Sequence, residues 1–364
     1  MNATLYRRPL PPGMIAFSSE EGRRLFAEAL AAGGLDGYFP IAEQFHTQSD
    51  PSFCGLGSLV VALNALGIDP GRLWKGPWRW FAEELLDCCV PLEEVKARGL
   101  DLEELGCLAR CNGAEVELSH ADDADVTSFR DAVRAAAAGE LVLVAAYDRA
   151  ALEQTGAGHF SPIGGYHAES DRVLVLDVAR FKYPPHWVET GMLFRAMKPA
   201  DPTTGRARGW MALRRRSAGI ALGFSVACER DGWVGLAERM ATLRGELRAA
   251  TDLASVARSL VPLLANLAVR TPSLPAHGDA LANARAALRE LPVYRLVEQA
   301  VGPEQTEAAT LLLLSAGDSL PAPLRAELEA AARGTTAELV AEIGNVRAQL
   351  GALSTHASRE KRAQ

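Results

Sequence analysis

A cysteine becomes a nucleophile where its thiolate is favoured, and two devices favour it: the positive end of a helix and a nearby imidazolium. Cys54, in the stretch QSDPSFCGLGSLVVALNALGIDP, has the first device within reach. It stands just before an apolar run in which Leu56, Leu59, Val60, Leu63 and Leu66 share one helical face. Gly55 leaves the sulfur sterically open, and Ser49, Asp50 and Pro51 shape the approach as a turn. The competing reading is a buried structural thiol, the usual fate of an unpaired cysteine. A base and an orienter elsewhere in the chain must decide.

Of seven histidines, His159 has the most telling setting. It follows Gly156-Ala157-Gly158 and opens a strand, so its side chain can face a cleft. His120, His277 and His356 lie in polar or distal segments and read as solvent-facing, whereas His46, His167 and His186 read as structural. Asp177 follows His159 by 18 residues and interrupts the apolar run VLVLDVARF, where an acid without a partner would be costly. If residues 159–167 and 172–180 form a hairpin, His159 and Asp177 share a face; a one-residue slip would separate them. Gln48, six residues before Cys54, could join the Cys54 backbone N–H as an oxyanion donor. The order Gln, Cys, His, carboxyl is that of papain-like enzymes, although the spacing and local cysteine signature of the secreted proteases are missing.

These residues need a scaffold. The 364-residue chain is 48 % apolar and 23 % charged, a globular composition with ample core material. Its net charge of −7 argues against nucleic acid as a partner. No apolar stretch is long enough for a membrane span, and the N-terminus lacks the apolar core of an export signal, so the expected compartment is the cytoplasm, with the six cysteines reduced. Up to about residue 215, helix and strand signals alternate: helices at 56–66, 77–88 and 91–98, strands at 140–147 and 172–180, and a further strand through GAGHFSPIGGYH. Beyond Trp233 the only aromatic residue is Tyr294, and the sequence predicts helices at about 234–248, 252–268, 279–291, 303–315 and 322–352. The expected class is α+β, with a catalytic domain over residues 1–220 and an α-helical region over 221–364 packed upon it.

Several ordered motifs carry a resemblance. QSDPSFCGLGSL, LNALGIDPGRLWKGPWRWF, LLDCC, CLARCNGAEV, GAGHFSPIGGYH and LDVARFKYPPHWV together resemble the phytochelatin synthases, the glutathione γ-glutamylcysteinyltransferases, over about residues 4–215. The resemblance implies a papain-like fold, with Cys54, His159 and Asp177 catalytic and Gln48 the oxyanion donor. It implies cleavage of the Cys–Gly bond of glutathione, a γ-Glu-Cys thioester on Cys54, and transfer to a second glutathione or a phytochelatin. The resemblance further implies donor-site contacts at Asp201 and Arg208 in ADPTTGRARGW, and Gly158 is a further substrate-binding candidate.

Anionic glutathione calls for cations. Arg208 could bind a carboxylate bidentately, while Arg149, Arg180 and Lys182 could serve the acceptor or be solvated surface charge. Cys88, Cys89, Cys107 and Cys111 are either metal ligands or core thiols; their spacing is not a zinc-ribbon pattern. The resemblance implies no organic cofactor, Cd²⁺ or Zn²⁺ entering as metal–glutathione thiolates, and a homodimer as one assembly. No cysteine follows Cys228, unlike the cysteine-rich tails of many plant relatives. The alternatives are a glutathione hydrolase that seldom transfers and a thiol-rich metal buffer.

Overall fold

The computed structural model describes residues 7–70, 73–87, 90–215, 224–226, 232–269, 275–344, 346–347 and 350. Among them a seven-stranded sheet dominates residues 15–215. Its strands are β1 (Ile15–Ala16), β2 (Ala114–His120), β3 (Val142–Asp148), β4 (Gly158–His167), β5 (Arg172–Val175), β6 (His186–Glu189) and β7 (Gly209–Arg215). They lie in the order β1-β6-β5-β4-β3-β7-β2, every pair antiparallel.

Helices cover both faces, which is why β3 reads as a continuous apolar run rather than an alternation. Its Val142, Val144 and Ala146 join one core with α3 (Cys54–Ala65) and α5 (Leu102–Cys111). Its Leu143, Ala145 and Tyr147 join a second core with α6 (Val126–Ala137) and α7 (Thr190–Met197). The remaining helices of this half are α1 (Glu20–Ala31), α2 (Tyr38–Gln44) and α4 (Leu92–Arg98).

Two features position the site. In α3, every residue from Gly55 to Leu63 is buried, so the helix is apolar all round and runs through the interior. Its N-terminus has no side-chain cap, which leaves the first-turn N–H groups open. The second feature is the β4–β5 hairpin. A bulge between Ile163 and Gly165 shifts its register, and a Cβ on Gly165 would lie 2.2 Å from the Leu35 side chain. The predicted strand 172–180 ends at Val175, and the chain then turns so that Val178 accepts a bond from the Gln48 N–H at 3.0 Å.

The distal elements include the paired strands β8 (Phe224–Val226) and β9 (Leu267–Val269), with α8 (Gly232–Ala249) and α9 (Leu253–Leu260) between them, and then α10 (Pro275–Glu290), α11 (Pro292–Val301), α12 (Thr306–Ser315) and α13 (Ala322–Ala331). Extensive contacts between elements run within residues 15–215 or within 224–331. Buried apolar residues of both parts nonetheless form one continuous cluster. Several boundaries differ from expectation. Within 77–88 the described residues, 77–87, hold only a short turn at Glu83–Leu85, the span 252–268 passes from helix to 3-10 turn to strand, and α13 ends before Gly334. Among the described residues no helix is long and apolar enough to cross a membrane.

Candidate active site

Cys54 is the first residue of α3, half-buried at the wall of a cleft of about 340 Å³. His159, the second residue of β4, lines the same cleft. Asp177 lies two residues beyond β5, where the bulged hairpin brings it back to His159: Asp177 Oδ1 is 2.9 Å from His159 Nε2. With Nε2 turned to the carboxylate, Nδ1 is the ring nitrogen left for the thiol. The Asp177 carboxylate also accepts the Ala179 N–H at 2.8 Å, which fixes its plane.

Burial would raise the Cys54 thiol pKa. The His159 imidazolium, the Phe160 backbone N–H and the Arg149 guanidinium outweigh that and hold it below its ordinary value. Burial would likewise lower the His159 pKa, but the Asp177 charge raises it above the usual imidazole value. Asp177 itself, despite burial, is held far below the carboxylate range by His159 and Arg149. These shifts favour the thiolate, imidazolium and carboxylate forms of the three groups, a charge state suited to acyl transfer through sulfur.

Gln48 packs beside the first turn of α3, where a Cβ on Gly57 would meet its Cβ at 3.3 Å. Its Nε2 donates to the carbonyls of Asp50 (2.8 Å) and Pro51 (3.0 Å), and its Oε1 is buried without a partner. The expected oxyanion donor thus stands at the right helix end with both N–H groups engaged.

Arg149 is placed differently from expectation. Expected as an acceptor-binding cation or a solvated surface charge, it is only 2 % exposed and lies behind the triad. Its Nη2 donates to both Asp177 oxygens (2.9 and 2.7 Å) and sits 2.8 Å from His159 Nε2. A buried carboxylate must find cations, and here it takes two. Arg180 is exposed, its guanidinium 5.1 Å from the Phe45 ring centre. Lys182 is half-buried, and burial together with Arg149 lowers its pKa.

In the same cleft Arg208 is buried. Its Nη1 donates to the Pro199 carbonyl at 2.9 Å, its Nη2 is 3.5 Å from Asp201, and its Nε has no partner. Gly158 makes room for it, since a Cβ there would lie 3.2 Å from the guanidinium. Sequence reasoning missed two neighbours. Asp148 at the end of β3 reaches Arg208 at 3.9 Å, and His120, read as solvent-facing, is buried in the cleft wall between the Ala207 carbonyl (2.7 Å) and Glu103 (3.0 Å). Neither has a local signal, because each partner is distant in sequence.

A model of the phytochelatin synthase family matches residues 5–210. The chain belongs to that family. It is 52 % identical over 238 residues to "Glutathione gamma-glutamylcysteinyltransferase 1" of Triticum aestivum, covering 65 % of this chain and 48 % of that one. It is 49 % identical over 238 residues to the Arabidopsis thaliana protein of the same name, covering 65 % and 49 %. Against the Schizosaccharomyces pombe "Glutathione gamma-glutamylcysteinyltransferase" it is 37 % identical over 269 residues, covering 72 % and 65 %. The chain spans about half the length of its plant relatives. All four triad and oxyanion candidates fall inside the family match, and so do Asp201 and Arg208.

The cysteines suggested as metal ligands divide. Cys88 and Cys89 lie outside the described residues. Cys107 and Cys111, one helical turn apart on α5, both face the core. Cys107 is disulfide-bonded, against the expectation of six reduced thiols, and a disulfide sulfur is not a thiolate ligand. Among the described residues no three metal-binding side chains cluster.

Proposed function

We propose that the chain is a glutathione γ-glutamylcysteinyltransferase working through Cys54. The observation that carries this reading is one cleft lined by Cys54, His159 and a buried Arg208 whose Nε has no partner and whose Nη2 lies beside the Asp201 carboxylate. The γ-glutamyl end of glutathione is a zwitterion; Arg208 suits its α-carboxylate and Asp201 its α-ammonium. The Cys54 thiolate attacks the carbonyl of the Cys–Gly amide. His159 gives its proton to the departing glycine amine, leaving a γ-Glu-Cys thioester. His159, now neutral, takes a proton from the amine of a second glutathione, which displaces the sulfur and yields (γ-Glu-Cys)₂-Gly. The developing oxyanion faces the Cys54 N–H, and Gln48 joins it by releasing one of its two carbonyl bonds. Arg180 and Lys182 suit the acceptor carboxylates. Cd²⁺ or Zn²⁺ enters with the substrate as a thiolate complex, and the reaction is cytoplasmic.

The test is incubation of the full chain with excess glutathione, with and without Cd²⁺, and product analysis by mass. Glycine together with (γ-Glu-Cys)₂-Gly is expected. Glycine with γ-Glu-Cys alone would make it a hydrolase. Stoichiometric metal binding without glycine release would make it a metal buffer and end the enzymatic reading.

A further inference from the structure

Behind Arg149 the interior holds a second polar set that the reaction does not call on. Gln154 and His186 are both buried. Arg149 Nη1 donates to Gln154 Oε1 at 2.5 Å. Gln154 Nε2 faces His186 Nε2 at 3.5 Å, and His186 Nδ1 lies 3.0 Å from the Pro184 carbonyl. A carbonyl only accepts, so Nδ1 of His186 carries the proton and Nε2 offers its lone pair to the Gln154 amide. Each link pairs a donor with an acceptor: His186 donates to the Pro184 carbonyl, Gln154 to His186, Arg149 to both Gln154 and Asp177, and His159 to Asp177. Burial keeps His186 neutral by lowering its pKa, as this order requires.

The backbone is arranged to deliver Gln154. The preceding Glu153 has φ +55°, a left-handed conformation uncommon for a residue with a Cβ, and the Gln154 N–H bonds the Arg149 carbonyl at 2.9 Å. Tyr183 closes the other side, its ring centre 5.1 Å from the Arg149 guanidinium and its hydroxyl accepting the Thr155 N–H at 2.8 Å.

We propose that Gln154, braced by His186, is a positioning residue that aims Arg149 at the Asp177–His159 pair and so sets the pH range of the Cys54 nucleophile. The inference rests on the reading of Cys54 as nucleophile. Arg149 favours the Cys54 thiolate and disfavours the His159 imidazolium. Loosening it therefore moves both limbs of the pH profile upward. The other groups facing His159 are Asp177, Cys54, Tyr147 and His186. Arg149 is faced by His159, Tyr147, Asp177, Cys54, His186, Tyr183 and Lys182, with Arg8 beyond Lys182. His186 faces Asp177, Arg149 and His159.

The experiment uses the full chain and two readouts: alkylation of Cys54 by iodoacetamide against pH, located by mass, and kcat and KM for glycine release. Gln154→Leu leaves Nη1 of Arg149 without an acceptor. It is expected to move the alkylation profile up by about half a pH unit or more and to lower kcat about tenfold with little change in KM. Gln154→Glu has the same shape and keeps the acceptor, so it should fold. Its charge also moves the profile up, but kcat stays within about threefold of the parent because the aim is preserved. Parent-like profiles and kcat in a folded Gln154→Leu chain overturn the inference, as does an unmoved profile in Gln154→Glu should the leucine variant fail to fold. If Cys54 of the parent titrates as an ordinary thiol, the reading of the nucleophile fails first and this inference with it.

Discussion

A thiol held below its usual pKa beside an imidazole held above its own is biased toward the thiolate–imidazolium ion pair. Iodoacetamide should therefore modify Cys54 well below the pH at which ordinary thiols react, and the rate should change again as His159 loses its proton. A single inflection at the usual thiol value would remove the pair. Cys54→Ala should abolish glycine release and any thioester, checked by mass of the intact protein, because another group would have to hold the γ-Glu-Cys unit. Asp177→Asn tests a difference from enzymes that orient their histidine with an amide. Here the carboxylate also neutralises a buried arginine, so the amide leaves Arg149 in the interior without its counter-ion. The expected result is loss of activity together with about 3 kcal/mol of stability, read by denaturant unfolding; full stability would show that Arg149 finds another partner. Gly158→Ala should displace Arg208 and raise KM about tenfold with kcat nearly intact, the signature of lost uniform binding. A kcat effect alone would assign Arg208 to the chemistry instead.

The elements that carry the site were the most legible ones. Helix α3 announces itself by apolar spacing, although it begins at Cys54 itself, two residues earlier than the pattern suggests. The hairpin was readable from two β-rich runs and a short connection, but its bulge was not, because that depends on how Leu35 packs against Gly165. Errors cluster where periodicity runs on past a break. Residues 77–88 imitate a helix in spacing, yet Gly76 at φ +55° and Pro77 make a turn whose Trp78 is exposed. The stripe over 322–352 crosses Gly334 at φ +95°, which a right-handed helix cannot contain. Helix α11 was passed over although Pro292 at its first position is a start signal. Gln154 was invisible because its meaning comes from three segments meeting. On α5, Cys111→Ser should leave glycine release measurable and cost stability, since it puts a hydroxyl in the core. Loss of Cys54 acylation in a folded Cys111→Ser chain would misplace the site.

At the scale of the molecule, every residue given a chemical role precedes residue 215. The distal helices make their extensive contacts with one another. A fragment ending near residue 220 is expected to form the γ-Glu-Cys thioester on Cys54, tested by mass after mixing with glutathione. It should unfold at lower temperature, because the apolar cluster shared by the two parts is cut and each leucine uncovered costs roughly 1.5–3 kcal/mol. A folded fragment unable to acylate would show that the distal part completes the site. The burial of α3 has a further consequence, in time rather than in space. Nine successive residues after Cys54 are packed on all sides, while the cleft wall at residues 97–100 and 202–204, the end of α4 and a turn, is half-buried or exposed. Amide hydrogen exchange should be slowest in the helix that bears the sulfur and fastest along that wall, so the nucleophile keeps still while the rim admits and releases peptides of growing length.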